Sequence, residues 1–123
     1  MKLKELLNDN RGGTYILEDD NLGYPEVAIF YTKQDYARGG CIHRKSDEYL
    51  CVISGEIRFF SGDDNIYMKS GMILLTPKET PHYFVSLTDS IVMEWGASPE
   101  EKKEKYVPFR NMVNKINDKS DRT

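Results

Sequence analysis

The chain has 123 residues, 39% hydrophobic and 30% charged, with a formal net charge of −3, which suits one domain with a modest core. This balance offers no basic footprint for nucleic acid, and no apolar run approaches the ~18 residues of a membrane span. The opening MKLKELLNDN lacks the apolar stretch of a signal peptide, and two cysteines do not make a disulfide framework, so a cytoplasmic protein with reduced thiols is expected.

In chain order, the segments 14–19, 26–32, 48–54, 56–60, 65–69, 72–76, 82–87 and 90–96 are rich in β-branched and aromatic residues and read as strands. Between them stand turn signals: Asn10-Arg11-Gly12-Gly13, Gly39-Gly40, Ser54-Gly55, Gly62-Asp63-Asp64-Asn65 and Ser70-Gly71. Many short strands with turns at regular spacing indicate a sandwich or barrel. In the segment 14–19, Tyr15 and Leu17 alternate with Ile16, so one face can join a sheet edge. Ser98-Pro99-Glu100-Glu101 has the form of a helix capping box with Pro at the first helical position. The run EEKKEK reads as the solvated face of that helix, and Pro108 interrupts it and can start a second one. Phe109, Met112, Val113 and Ile116 follow helical spacing and would pack on the β body. The reading is one all-β domain over 1–117 with a short C-terminal helical segment, and a frayed tail over 118–123.

The only two histidines fall in two informative places. In RGGCIHRKSDEYLCVISG, Cys41 and His43 are two apart and would share a face of a strand. Glu48 opens the next strand, with Leu50 and Val52 on its own face. His82 lies in GMILLTPKETPHYF, after Gly71 and Pro77. Folding both stretches into one barrel would bring Cys41, His43, Glu48 and His82 to a common mouth.

This pair of stretches resembles the two motifs of the cupin family (RmlC-like), which implies a jelly-roll β-barrel. His43, Glu48, Gly55, Gly71, Pro77 and His82 match the motif positions. Cys41 stands at the position of the first family His, Glu79 at that of a Gly, and Ser86 at that of an Asn. Within the cupins, DNRGGTYILED (9–19), the stretch 38–55 and PHYFVSLTDSIVMEWGAS (81–98) are similar to the nucleotide-sugar 3,4-ketoisomerases, which act on dTDP-4-keto-6-deoxyglucose. The related 3,5-epimerases share the Asp-x-Arg-Gly opening.

That resemblance implies an isomerase or epimerase of a nucleotide-linked 4-keto-deoxysugar, working by proton transfer without a metal. His43 would be the base, with Cys41 or Tyr83 as acid. Arg11 and Arg38 would hold a diphosphate, with Glu48 and His82 also at the substrate. It further implies a homodimer paired through β-sheets. Glu48, where the ketoisomerases commonly carry Gln, points instead to a metal cupin, a dioxygenase or metal-dependent isomerase, in which Cys41, His43, Glu48 and His82 would hold Zn, Fe, Ni or Mn. A non-catalytic carbohydrate-binding cupin is the third reading. For Cys41, proton transfer, metal ligation and packing all stay open.

Overall fold

The computed structural model describes residues 2–18, 27–97, 101 and 103–119. Eleven strands and one helix follow each other: β1 (Lys2–Asp9), β2 (Gly12–Glu18), β3 (Ala28–Thr32), β4 (Ala37–Ile42), β5 (Glu48–Ser54), β6 (Glu56–Ser61), β7 (Asp64–Lys69), β8 (Ile73–Thr76), β9 (His82–Ser86), β10 (Ser90–Trp95), β11 (Glu104–Lys105) and α1 (Val107–Asn117). They form two antiparallel sheets, ordered β1-β2-β3-β10-β5-β8 and β11-β4-β9-β6-β7.

Alternation along each strand decides what lies between the sheets. Leu50 and Val52 of β5, Ile57 and Phe59 of β6, Met68 of β7, Phe84 of β9 and Val92 of β10 form one buried cluster. The other face of β9 and β4 is covered by α1. There Ala37, Tyr83 and Val113 are buried together, with Phe60, Val85, Phe109 and Ile116 packed around them. No described helix is long and apolar enough to cross a membrane.

The polar opening segment forms β1 over Lys2–Asp9, because its backbone pairs with β2 from Lys2↔Glu18 to Asp9↔Gly12. Other expectations are corrected. Tyr15 and Leu17 therefore sit in β2 between β1 and β3 of the same chain. Gly39 and Gly40 do not form a turn. They lie inside β4, where a bulge separates Gly39↔Tyr83 from Cys41↔His82. Gly40 has φ +90, and a Cβ there would stand 2.9 Å from the backbone of Arg110, so only glycine lets α1 approach this closely.

Of the expected capping box at 98–101, residues 98–100 lie outside the described residues. The run after it is not helical where it is described: Glu104 and Lys105 pair with Ile42 and Cys41 as β11, since the open edge of β4 offers backbone partners that an isolated charged helix would lack. The helix starts only at Val107, with Pro108 in its first turn, where proline costs nothing. Of the expected tail, Asp118 and Lys119 are held: the Asp118 amide donates to the Asn114 carbonyl, and Lys119 Nζ donates to the Asp35 carbonyl at 2.8 Å. Residues 120–123 lie outside the described residues.

Candidate active site

At one end of the barrel the inward positions of three strands change from apolar to ionisable. Glu48 follows the parity of Leu50 and Val52 on β5, His82 that of Phe84 and Ser86 on β9, and Glu94 that of Ser90 and Val92 on β10. All three are buried, and one ligand-type atom from each lies within 4.8 Å of the others.

His82 Nε2 lies 3.1 Å from Glu48 Oε1, and His82 Nδ1 lies 3.1 Å from the Thr80 carbonyl oxygen. A carbonyl can only accept, so Nδ1 carries a proton. Nε2 then also needs one to satisfy the carboxylate, which makes His82 an imidazolium. Its pKa is raised accordingly: burial pushes it down, but the Glu48 hydrogen bond and the charges of Glu94 and Glu48 outweigh burial.

His43 stands just beyond the end of β4, 3% exposed. Its Nε2 is 3.2 Å from Glu48 Oε2 and its Nδ1 is 3.8 Å from Glu101 Oε2. Both approaches are at ion-pair distance, yet neither ring nitrogen makes a hydrogen bond. Burial pushes Glu48 up, but the contacts from His43 and His82 and the charge of Lys103 outweigh it and hold the carboxyl well below the usual range. Glu94 goes the other way: burial first, then the negative charge of Glu48, push it up to about 7, against the pull of Lys103 and His82.

A cavity of about 210 Å³ opens onto this cluster. His82, Glu94 and Cys41 reach it, with Leu7 and Phe30 as apolar wall, and four cations border it: Arg11, Arg38, Lys103 and Arg110. His43 and Glu48 do not line it and stand behind His82 and Glu94. Of the residues singled out from sequence, the structure therefore brings His43, Glu48 and His82 into contact. Cys41 pairs across from His82 in register but stands outside the tight group. Its thiol is raised, chiefly by burial.

Tyr83 borders the cavity, but its ring stacks on Phe60 at 4.5 Å and meets Phe109 edge-on at 4.9 Å. It sits at the root of α1 on the strand face opposite His82. Arg38 spends its donors on the protein: Nε donates to Thr32 Oγ1 at 2.8 Å, Nη1 to Thr14 Oγ1 at 3.1 Å, and Nη2 to the Tyr31 carbonyl at 3.0 Å. Burial first, and the charge of Arg11 second, pull it down to about 10. Arg11 is clamped to Asp9, with Nη2 2.7 Å from Oδ2 and Nε within 3.2 Å of both carboxylate oxygens.

Sequence reading missed Glu94, Lys103 and Arg110. For Glu94 a signal existed: strict alternation in SIVMEWG places it on the face of Ser90 and Val92, a charged side chain on an inward face. Lys103 and Arg110 had none, because their position depends on β11 and α1 folding back over β4.

No family model and no curated protein matches the chain. Solved structures do. One third of the S161A mutant of Bacillus subtilis oxalate decarboxylase OxdC superposes with a TM-score of 0.71, at 16% identity over 89% of this chain and 32% of that one. An RmlC-like cupin from Shewanella frigidimarina gives 0.66, at 12% identity over 80% of this chain and 87% of that one. The chain has the cupin fold. The capsular polysaccharide assembling protein CapF from Staphylococcus aureus gives 0.64, at 18% identity over 78% of this chain and 29% of CapF. The chain thus spans only about 30% of the length of CapF or OxdC. At these identities the likeness is one of fold, and the expected jelly-roll architecture is what it bears out.

Proposed function

We propose that this cupin is an acid–base isomerase or epimerase of an anionic keto sugar, with a nucleotide-linked 4-keto-6-deoxyhexose as the first substrate to test and a homodimer as its assembly. The observation that carries the reading is the pairing of His82 and Glu94 at the base of a cation-bordered cavity. Two adjacent titratable groups with their proton affinities pushed in opposite senses relative to their charge divide the work of acid and base. Glu94, raised to about 7, is a competent base near neutral pH. It would take the proton alpha to the ketone, while the His82 imidazolium gives one to the ketone oxygen. Delivery of a proton to the former carbonyl carbon, with loss of the proton on the neighbouring hydroxyl, moves the carbonyl, and return of a proton to the original carbon from its other face inverts that centre. Glu48 holds His82 protonated, and His43 supports Glu48 from behind. The cations favour a substrate carrying negative charge. CapF, a similar structure, is described as a capsular polysaccharide assembling protein, which fits a carbohydrate setting. The test is proton NMR of dTDP-4-keto-6-deoxyglucose with the protein in D₂O. Deuterium entering beside the ketone and a new keto isomer are expected, and neither exchange nor conversion after prolonged incubation would refute the reading.

A second reading has its own observation. With the Nδ1 proton committed to Thr80, a neutral His82 aims its Nε2 lone pair at the space shared with Glu48 and Glu94. One imidazole and two carboxylates fit a divalent Zn, Fe, Ni or Mn ion. Bound there, such an ion would polarise a carbonyl oxygen. Elemental analysis of wild type and His82→Ala separates the two readings: stoichiometric metal in the first and none in the second favours the metal.

A further inference from the structure

We propose that Leu7, Thr14 and Phe30 form a specificity notch in the wall of this cavity, which receives a methyl group of the substrate and so selects a deoxy sugar over its hydroxymethyl counterpart. The inference rests on the acid–base reading above. It starts from the bulge in β1. Across the β1–β2 ladder Leu3 faces Leu17 and Glu5 faces Tyr15, whereas Leu7 faces Thr14. Leu6 is the extra residue. Without it, alternation would set Leu7 opposite Gly13, on the outer face of the sheet with Tyr15 and Leu17. The bulge turns Leu7 to the inner face instead, the way bulges beside sites re-aim a side chain. There Leu7 lines the cavity together with Thr14 and Phe30. Core packing does not account for the turn, because β1 is exposed along its whole length and Leu7 itself is 43% exposed.

Register sets the shape of the wall. Leu7 pairs with Thr14 and Thr14 with Phe30, so a large, a small and a large side chain stand in one row across three strands. Leu7 and Phe30 are two strand spacings apart, about 10 Å between backbones, and their side chains narrow that gap to a notch over Thr14. Thr14 Oγ1 accepts from Arg38 Nη1 at 3.1 Å, which turns its oxygen to the guanidinium. Leu7 and Phe30 offer only hydrocarbon. A hydroxyl placed between them gives up water for an incomplete set of partners, while a methyl group gives up nothing. The same row continues through Val92, and Glu94 lies two residues further along β10, about 7 Å away. One hexose ring spans that distance. A sugar whose methyl fills the notch therefore presents the carbon on the far side of its ketone to Glu94.

The probes are dTDP-6-deoxy-D-glucose and dTDP-D-glucose, which differ only at C6 and carry no ketone, titrated calorimetrically into wild type, Leu7→Ser and Leu7→Met. Wild type should bind the deoxy ligand about tenfold tighter or more. Leu7→Ser should cut that preference to about threefold or less, at an unchanged melting temperature, and Leu7→Met should keep it. Equal affinity for the two ligands in wild type, tighter binding of dTDP-D-glucose, a preference that survives in Leu7→Ser, or binding of neither ligand overturns the proposal. Deuterium exchange into the keto sugar separates this failure from that of the acid–base reading. Exchange without a C6 preference removes the notch alone, and a Leu7-dependent preference with neither exchange nor conversion sinks the isomerase and leaves the notch standing.

Discussion

The two ends of the barrel are built from the same three strands and behave oppositely. At one end Ser86 and Ser90 are buried, and their hydroxyls pair with each other at 2.6 Å. Either hydroxyl can donate to the other, so each oxygen has a partner and neither carries a charge. At the other end Glu48, His82 and Glu94 are equally buried, but acceptors outnumber protons, two carboxylates compete for one imidazolium, and His43 stays without a hydrogen bond. Between them lie Leu50, Phe84 and Val92. The lesson is that burial alone is neutral as to role: a satisfied polar pair holds the barrel shut, and an unbalanced set stores chemistry.

Substitutions should separate the two ends. The largest effect expected is Glu94→Gln, which keeps shape and removes the base. Turnover should fall ~10²–10⁴-fold, with melting temperature unchanged or higher, as read by steady-state kinetics and calorimetry on one preparation. Leu50→Ala, 2% exposed in the apolar layer, should cost about 2–5 kcal/mol in stability, measured by urea unfolding. Equal stability loss in both variants would erase the distinction between the ends.

The pH dependence sharpens it. Glu94 has a folded pKa raised to about 7 from the ordinary carboxylate value of 4.5, so its contribution to stability is fully present below about 4.5 and is lost as pH rises through 7. His82, also raised, contributes below its unfolded value and loses that contribution as pH climbs through its higher folded value. Both act in the same direction, so the protein should melt lower at pH 8 than at pH 5.5, by on the order of 2 kcal/mol. Glu48, lowered, adds stability above its unfolded pKa that is lost as pH falls through its folded value, which opposes this trend only in acid. A melting curve series for wild type and Glu94→Gln checks it: the alkaline fall should shrink in the variant. The smallest effect is expected at Cys41. Burial keeps its thiol protonated, so Cys41→Ser should change turnover by less than about tenfold, and a loss matching that of Glu94→Gln would make the thiol a proton carrier after all.

Much of the architecture was legible because alternation is a local signal. Leu50, Val52 and Glu48 could be set on one face from spacing alone, and so could His82 with Phe84. What stayed hidden was non-local. EEKKEK looks helical until the edge of β4 claims Glu104 and Lys105, and the opening segment carries no strand pattern of its own until β2 supplies its hydrogen bonds. Arg38 shows the same limit at the site. Resemblance alone makes Arg38 a diphosphate binder, and only the fold reveals that Thr14, Thr32 and Tyr31 already accept hydrogen bonds from its guanidinium.

The close approach at Gly40 has a consequence for how this sequence can vary. A side chain there would meet not a flexible tip but the main chain of Arg110, and the carbonyl of the same glycine anchors Tyr106. In a saturation library, position 40 should therefore admit no replacement that keeps α1 seated, while Lys103 and Arg110 stay exchangeable one at a time. Selection for a new substrate would have to work through those side chains and leave the glycine that carries their frame untouched.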